Sequence, residues 1–315
     1  MDHVCSVDGL DYLADRPDES RDIGPSDGRS IFSLTWRKDM PSMWENLRFA
    51  GGNPDQPGQG YDENQGSESQ DMVIYVSYPA PTAGSSFPTV IVAQEAFGVN
   101  KHIQNVCDRF AAAGFIAVAP TLFHREHPNP MLGYGEEDVS ARNRYMGALR
   151  DDEIVEDINE TIRWTQGSQW RRSNDQPIGI VGYCVGGRIA YLAATSCPKL
   201  DAAVCYYPGR ILTPFGDGAS PIDLTSQIQI PVMANLGGQD ENPSPADVAT
   251  IEAKLKECGV SYDFKSYPDA GHGFNCEDRG SYHEASAKDA WDRTVAFFGQ
   301  HLPLNPNPVL SAFGT

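Results

Sequence analysis

The chain has 315 residues, of which 40% are hydrophobic, and a formal net charge of −19 that comes from 43 acidic and 24 basic side chains. This length suits one large domain or two small ones. Because an acidic surface repels phosphate backbones and anionic lipids, we expect neither nucleic acid nor a membrane as a partner. The expected partner is a small molecule, and we expect the chain to be a monomer.

The seven cysteines have no regular spacing and form no C-x-x-C pair, so the sequence predicts neither a zinc ribbon nor a thioredoxin-like motif. Cys107 and Cys205 lie inside apolar segments, where we expect reduced core residues. The first residues carry neither a basic region nor an apolar run, and no stretch has the length of a membrane span. These features predict a protein of the cytoplasm.

Residues 1–70 differ from the rest of the chain because they are rich in Asp, Gly, Pro, Ser and Gln. An apolar island at 31–36, followed by Met43 and Trp44, interrupts this composition. We predict a partly irregular N-terminal extension docked on the main domain; alternatively, its aromatic residues cover the mouth of a site. The tail 303–315 is also predicted to be irregular.

The regular part of the chain, residues 71–302, alternates short apolar strands with helical segments. Strands are predicted over 72–76, 89–93, 115–119, 177–181, 202–207, 231–235 and 262–267. Helices are predicted over 100–113, 151–164, 188–194, 245–258 and 281–300. This alternation predicts an α/β fold with a mostly parallel sheet and helices on both faces.

The segment 182–187 has the sequence Gly-Tyr-Cys-Val-Gly-Gly and joins a predicted strand to a predicted helix. The pattern Gly-x-Cys-x-Gly is the nucleophile elbow of α/β-hydrolases, with Cys184 in place of serine. The glycines leave room for the helix to pack on the strand, and the helix N-terminus favours a thiolate and an oxyanion. The alternative for Cys184 is a buried cysteine that only fills space.

Three more reactive groups follow predicted strands, which places them at the same edge of a parallel sheet. Asp240 and His272 come after Cys184 in the order of the α/β-hydrolase triad, in which the histidine takes the nucleophile's proton and the acid orients the imidazole. Glu241 and Asp247 compete with Asp240 for that role. Ordinary loop or turn roles are the alternative for each residue.

Glu95 is the third of these groups and lies at the end of a buried strand, where a carboxylate is costly without a partner. From there it could reach Cys184. The backbone N–H groups of Ala96 and Val185 are the predicted oxyanion donors.

These motifs together resemble the dienelactone hydrolase (carboxymethylenebutenolidase) family. The resemblance rests on 94–100 (Gln-Glu-Ala-Phe-Gly-Val-Asn), 182–187, 237–240 (Gly-Gly-Gln-Asp) and 271–274 (Gly-His-Gly-Phe). It covers about residues 71 to 300 and implies the α/β-hydrolase fold. In that family the residues matching Cys184, Asp240 and His272 form the triad. The residue matching Glu95 helps to generate the thiolate when substrate enters.

The sequence departs from the family where substrate is held. The family's characterised lactonases bind the substrate carboxylate with arginines, one of them just after the catalytic histidine. Here 273–276 contains no arginine, and Arg279 comes only later. Four other residues are candidate substrate contacts: Phe97, Arg142, Arg144 and Tyr145. The alternative for both of these arginines is solvated charge.

The run 124–127 (His-Arg-Glu-His) contains potential metal ligands, but adjacent loop residues lack the geometry of a dedicated metal site. No dinucleotide or phosphate-loop motif is present. We therefore expect neither a metal nor a cofactor.

Three functions are compatible with these residues. The first is a cofactor-free hydrolase of a small ester or lactone, with Cys184 as the nucleophile. The second is a ligand-binding or sensing protein on a hydrolase scaffold, against which the complete set of reactive groups argues. The third is a redox role of Cys184, for which Cys197 lies too far along the helix to be an obvious partner. We expect the first.

Overall fold

The computed structural model of the chain describes residues 41–47, 72–80, 86–167 and 175–303. The apolar island at 31–36, most of the predicted extension and the tail from residue 304 lie outside these residues. The predictions made for those segments therefore stay predictions.

Eight strands and six helices make up the described fold. The strands are β1 (Ser42–Leu47), β2 (Met72–Ser77), β3 (Thr89–Ala93), β4 (Ile116–Pro120), β5 (Ile178–Tyr183), β6 (Ala202–Tyr206), β7 (Val232–Gly237) and β8 (Tyr262–Tyr267). The helices are α1 (Lys101–Ala112), α2 (Val139–Ala148), α3 (Asp151–Gln166), α4 (Val185–Ser196), α5 (Pro245–Glu257) and α6 (Glu284–His301). Short 3₁₀ helices cover Glu136–Asp138 and Pro221–Gln227.

The strands form one sheet in the order β1-β2-β4-β3-β5-β6-β7-β8. Only the pairs that involve β2 are antiparallel, and all other neighbouring strands of this sheet run parallel. The predicted α/β fold is thereby confirmed. Ala93 pairs with Gly182, so β3 and β5 end at the same level and bring Glu95 and Cys184 to the same edge of the sheet.

Strand β1 comes from the segment that the sequence analysis assigned to the N-terminal extension. It pairs with β2 over its whole length, from Ser42 opposite Ser77 to Leu47 opposite Met72. The Trp44 ring packs edge-on against Tyr75, with 5.2 Å between the ring centroids. The sheet thus begins before the predicted domain boundary at residue 71, because a six-residue strand is hidden by the polar, glycine-rich composition around it.

Both faces of the sheet are buried under helices. Alternate residues of β3 divide between the faces: Ile91 joins the cluster under α3, α4 and α5, whereas Val92 joins the one under α1 and α6. Full burial of one such side chain stabilises the fold by about 1.5–3 kcal/mol. Two-sided burial also explains why the strands are continuous apolar runs. Within the described residues, no helix is both long and apolar enough to cross a membrane.

Candidate active site

Cys184 lies between β5 and α4 in a strained backbone conformation, with φ +59° and ψ −119°. Few non-glycine residues adopt a positive φ, and such strain is concentrated at functional sites. The Cys184 N–H donates to the carbonyl oxygen of Tyr206 at 3.1 Å, which ties the turn to β6. The side chain is partly exposed, so the thiol is accessible at the edge of the sheet.

The glycines around Cys184 are required by close approaches of the backbone. A Cβ on Gly182 would overlap the carbonyl oxygen of Gly186, and one on Gly186 would overlap that of Ala93. A Cβ on Gly187 would lie 2.6 Å from the carbonyl oxygen of Tyr206. The elbow can therefore hold the cysteine against the sheet only with these three glycines.

Two backbone N–H groups lie at the same edge of the sheet as the thiol. Val185 is the first residue of α4, and the first N–H groups of a helix have no partner within the helix. Ala96 follows the end of β3, and its N–H has no backbone acceptor among the described residues. Both residues are nearly buried, with exposed fractions of 4% and 8%. This arrangement can stabilise negative charge on an oxygen beside Cys184.

Asp240 and His272 form a hydrogen-bonded pair at the ends of β7 and β8. The Asp240 Oδ2 atom lies 2.8 Å from Nδ1 of His272. The Asp240 Oδ1 atom accepts a hydrogen bond from the N–H of Asn242 at 2.8 Å. Of the competing acids, Asp247 instead accepts hydrogen bonds from Ser244 at the start of α5, and Glu241 is exposed. Among these three acids, Asp240 is thus the one that is hydrogen-bonded to this imidazole.

The imidazole of His272 is set up to carry a proton. Burial alone would lower the pKa of His272, but hydrogen bonds to Asp240 and to Cys184 outweigh it and raise the pKa to about 10. A proton that leaves the Cys184 thiol can therefore be held on His272 while Asp240 balances the positive charge. Cys184, His272 and Asp240 are accordingly within reach of one another.

Glu95 is fully buried and has hydrogen-bond donors on both of its carboxylate oxygens. The hydroxyls of Tyr207 and Tyr134 donate to its two carboxylate oxygens, each at 3.3 Å. The Arg279 Nη1 atom lies 3.7 Å from Glu95 Oε1. Burial, followed by the charge of Glu95, raises the pKa of both tyrosines, so both phenols keep their protons and donate. The carboxylate thus has partners other than Cys184 in this structure.

The comparisons with known proteins assign the family. Residues 75–302 match the model of the dienelactone hydrolase family. The chain belongs to this family. A protein named "Putative carboxymethylenebutenolidase" from Salmonella typhimurium is 35% identical over 239 residues, which cover 75% of this chain and 85% of that relative. A protein of the same name from Synechocystis sp. is 34% identical over 236 residues, which cover 74% and 94% of the two chains.

A solved structure supports the same family assignment. The crystal structure named "Putative Dienelactone Hydrolase" from Klebsiella pneumoniae matches with a TM-score of 0.64 and 29% identity, and the match covers 82% of this chain and 99% of that one. As a member of the dienelactone hydrolase family, the chain has the α/β-hydrolase fold and is a hydrolase of esters or lactones. The predicted family and fold are thereby confirmed.

Arg279 reaches the dienelactone hydrolase site despite its late position in the sequence. Two turns fold the chain back between Gly273 and Arg279. In the first, the Cys276 N–H donates to the carbonyl oxygen of Gly273, and in the second the Arg279 N–H donates to that of Cys276. The Arg279 guanidinium lies 5.9 Å from the ring centroids of both Phe97 and Tyr134. Gly273, at φ +77°, has no Cβ that would collide with this guanidinium. An arginine is therefore present beside Glu95, supplied from further along the chain than the sequence analysis anticipated.

The four predicted substrate contacts separate into two groups. The Arg142 guanidinium lies 5.8 Å from the ring of Phe97, which the Arg279 guanidinium also approaches. Arg144 instead lies 4.8 Å from the ring of Tyr145 and pairs with Glu126 at 3.6 Å. Tyr145 is buried against the ring of Phe123, not against a triad residue. Arg142 and Arg279 thus both lie near the ring of Phe97, whereas Arg144 and Tyr145 form a separate contact.

The polar run 124–127 is anchored to α3. Arg125 donates to both carboxylate oxygens of Asp157, at 2.7 and 2.9 Å. Nε2 of His124 lies 3.3 Å from the same carboxylate. The side chains of His124 and Arg125 therefore hold this loop against α3.

Two ionisable residues behind Glu95 were not identified from the sequence. Burial lowers the pKa of His102 in α1, which keeps its imidazole neutral. Burial and the charge of Glu95 raise the pKa of Cys276, whereas a hydrogen bond to Tyr134 lowers it. The net result is a pKa of about 11, which keeps the thiol protonated. The Cys276 thiol donates to the hydroxyl of Tyr134 at 3.1 Å. No local motif marks these residues, because the fold alone brings them next to Glu95.

Proposed function

We propose that the chain hydrolyses a small ester or lactone through a Cys184–His272–Asp240 triad, with Glu95 assisting thiolate formation. The observation that carries the proposal is the 2.8 Å contact between Asp240 and His272 at the same sheet edge as the strained Cys184. Family membership supports the reaction class. The raised pKa of His272 supports a thiolate–imidazolium pair.

The reaction has two halves. The Cys184 thiolate attacks the carbonyl carbon, and the resulting oxyanion accepts hydrogen bonds from the N–H groups of Ala96 and Val185. The intermediate collapses to a thioester as the ester C–O bond breaks, and protonated His272 gives its proton to the leaving oxygen. Neutral His272 then takes a proton from water, whose oxygen attacks the thioester. The acid leaves and the thiolate is restored.

Glu95 is proposed to act when substrate enters. Its pairing with Arg279 is loose, because 3.7 Å exceeds a hydrogen-bond distance. A substrate carboxylate that binds Arg279 would draw the guanidinium away from Glu95. The carboxylate could then turn to Cys184, take the thiol proton and pass it to His272, so that the thiolate forms and the imidazolium is ready to protonate the leaving oxygen.

The substrate is proposed to carry a carboxylate near the scissile bond. Arg279 and Arg142 both lie near the ring of Phe97, which supports an apolar wall flanked by positive charge. Guanidinium groups bind carboxylates with two parallel hydrogen bonds. The relatives named carboxymethylenebutenolidase support a lactone of this type.

We further infer a cytoplasmic location, which is supported by the six free cysteines among the described residues. The expected monomeric state stays a prediction.

The test is hydrolysis of a chromogenic acetate ester and a dienelactone by the native protein and by Cys184→Ala. The native protein is expected to turn over both substrates and the variant neither, with the lactone favoured. An inactive native protein that still binds the lactone would favour the ligand-binding alternative instead. Full activity of Cys184→Ala would refute the proposed nucleophile.

A further inference from the structure

Three metal-ligating side chains from three separate elements converge behind the triad. Glu95 follows β3, His102 lies in the first turn of α1, and Cys276 lies between β8 and α6. Their ligand atoms, a carboxylate oxygen, an imidazole nitrogen and a sulfur, all lie within 4.8 Å of one another. All three residues are buried, with exposed fractions of 0%, 6% and 0%. We propose that they form a binding site for a zinc-like divalent cation, and that the bound ion inhibits the hydrolase.

The spacing of the three ligand atoms suits zinc after a small contraction. When three atoms are at most 4.8 Å apart, some point lies within about 2.8 Å of all of them, and zinc bonds measure about 2.0–2.3 Å. Inward shifts of less than an ångström would therefore complete the coordination. Three protein ligands leave a fourth tetrahedral position for water. The mixed nitrogen, oxygen and sulfur set excludes Mg²⁺ and Ca²⁺, which take oxygen ligands.

Unsatisfied polar atoms point to a missing ligand. Nε2 of His102 is buried and has no hydrogen-bond partner. Nη1 of Arg279, next to Glu95, also has no hydrogen-bond partner. Buried polar atoms are nearly always paired, so an orphaned nitrogen on an imidazole that lies beside a carboxylate and a thiol needs an explanation. A bound cation supplies one for His102.

The charges of the site balance a dication. Glu95 contributes one negative charge, and Cys276 contributes a second when its thiol proton leaves to solvent on metal binding. The competing charge is Arg279, whose contact with Glu95 is loose at 3.7 Å. The Arg279 side chain is 23% exposed, so it can turn towards solvent when the cation takes its place.

Inhibition follows from the identity of one ligand. A Glu95 carboxylate bound to metal cannot turn to Cys184 and take its proton. This consequence rests on the proposed function, whereas binding of the ion does not. The two can therefore fail separately.

The direct test is a calorimetric titration of the metal-free protein with Zn²⁺. The native protein is expected to bind one ion per chain, and His102→Gln or Cys276→Ser is expected to weaken binding by about tenfold or more. Cys184→Ser is the matched thiol control, since it removes the only proposed nucleophile and leaves the three ligands intact. Native affinity in Cys276→Ser would show that Cys276 is not a ligand, and loss of binding in Cys184→Ser would put the ion on Cys184; either result would overturn the site.

A second measurement avoids variants that fail to fold. Native protein whose Cys184 has been alkylated with iodoacetamide is titrated with Co²⁺, and the thiolate-to-cobalt charge-transfer band is expected to appear. Absence of this band would overturn Cys276 as a ligand. In the activity assay, Zn²⁺ is expected to inhibit the native protein reversibly, with chelator restoring turnover. Equal inhibition of His102→Gln would overturn the inhibitory role.

Discussion

Cys184 owes its exposure to glycines that have no room for a side chain. A Cβ on Gly186 would overlap the carbonyl oxygens at the end of β3, because α4 starts directly against that strand. Backbone atoms cannot move aside as a flexible side chain can. The position of the proposed nucleophile is thus fixed by residues outside the proposed triad.

We expect Gly186→Ala to destabilise the protein by about 3 kcal/mol or more, since the added methyl group overpacks a rigid contact. The matched control is Gly299→Ala in α6, where an added Cβ meets nothing within 4 Å. That change is expected to be neutral or to stabilise by up to about 1 kcal/mol. Urea unfolding of both variants measures the difference. Equal stabilities would mean that the elbow tolerates a side chain at Gly186.

His272 should make stability depend on pH. Its pKa is raised from the ordinary 6.5 to about 10, so the native state holds the proton more tightly than the unfolded chain does. The stabilisation is fully present below pH 6.5 and is lost as the pH rises through 10.

The comparison that isolates this effect is native protein against His272→Gln. The difference between their free energies of unfolding is expected to shrink as the pH rises from 6.5 to 10. Urea unfolding at a series of pH values measures it. A difference that stays constant over this range would contradict the thiolate–imidazolium arrangement.

The reactive residues differ in how far the sequence could predict them. Cys184 and His272 stand in short motifs between predicted strands and helices, so local pattern was enough to predict their place at the edge of the sheet. The approach of Arg279 to Glu95 could not be predicted from the sequence, because it depends on two turns that no local pattern fixes. Tyr134 and Tyr207 were missed, since each donates to Glu95 from a loop far away in sequence.

The elbow helix α4 is tied to α3 by a buried ion pair. Arg188 is fully buried and donates to both carboxylate oxygens of Asp151, at 2.6 and 2.9 Å. It also donates to the carbonyl oxygens of Arg210 and Thr213, and its guanidinium lies 3.8 Å from the Phe215 ring. The charge of Arg188 is thereby fully partnered within the helix that follows Cys184.

Removing one partner of this pair should be severe. We expect Asp151→Ala to destabilise the protein by about 3–5 kcal/mol, because it leaves the Arg188 charge buried and uncompensated. The control is Lys288→Ala, which removes an exposed pair with Asp292 within α6 and should cost about 0–1 kcal/mol. Denaturant midpoints compare the two. Similar losses would show that the buried pair is not needed to hold α4.

Helices and strands could be predicted where their burial produces a clear pattern of apolar residues in the sequence. The buried strands β2 to β7 are apolar runs, and α3 carries an apolar stripe, so both kinds of element were found. Helix α2 was missed because only Tyr145 of its ten residues is buried, which leaves no stripe to recognise. Strand β1 was missed because its pairing with β2, and not its amino-acid composition, makes this segment a strand.

The whole molecule repels the substrate that its site is proposed to attract. The net charge is −19, whereas Arg142 and Arg279 present positive charge near Phe97. Salt screens the long-range repulsion more than the short-range attraction, because the screening length falls from about 30 Å at 0.01 M to about 8 Å at 0.15 M. Charges on the exposed surface are screened more strongly than charges that are partly buried.

We therefore expect kcat/KM for an anionic lactone to rise when salt is increased from about 0.01 to about 0.15 M. A neutral acetate ester of similar size is the control and should show no such rise. Steady-state kinetics on both substrates at constant pH measures the effect. A fall for the anionic lactone would mean that the local arginines, and not the whole surface, control its approach.

The central claim is that Cys184 forms a covalent acyl intermediate. Rapid acid quenching during turnover of an activated ester, followed by peptide mass spectrometry, tests it directly. The account predicts the acyl mass on the peptide that contains Cys184, and no such mass on the peptide that contains Cys276. Turnover without an adduct at Cys184, or an adduct at Cys276 instead, would contradict it.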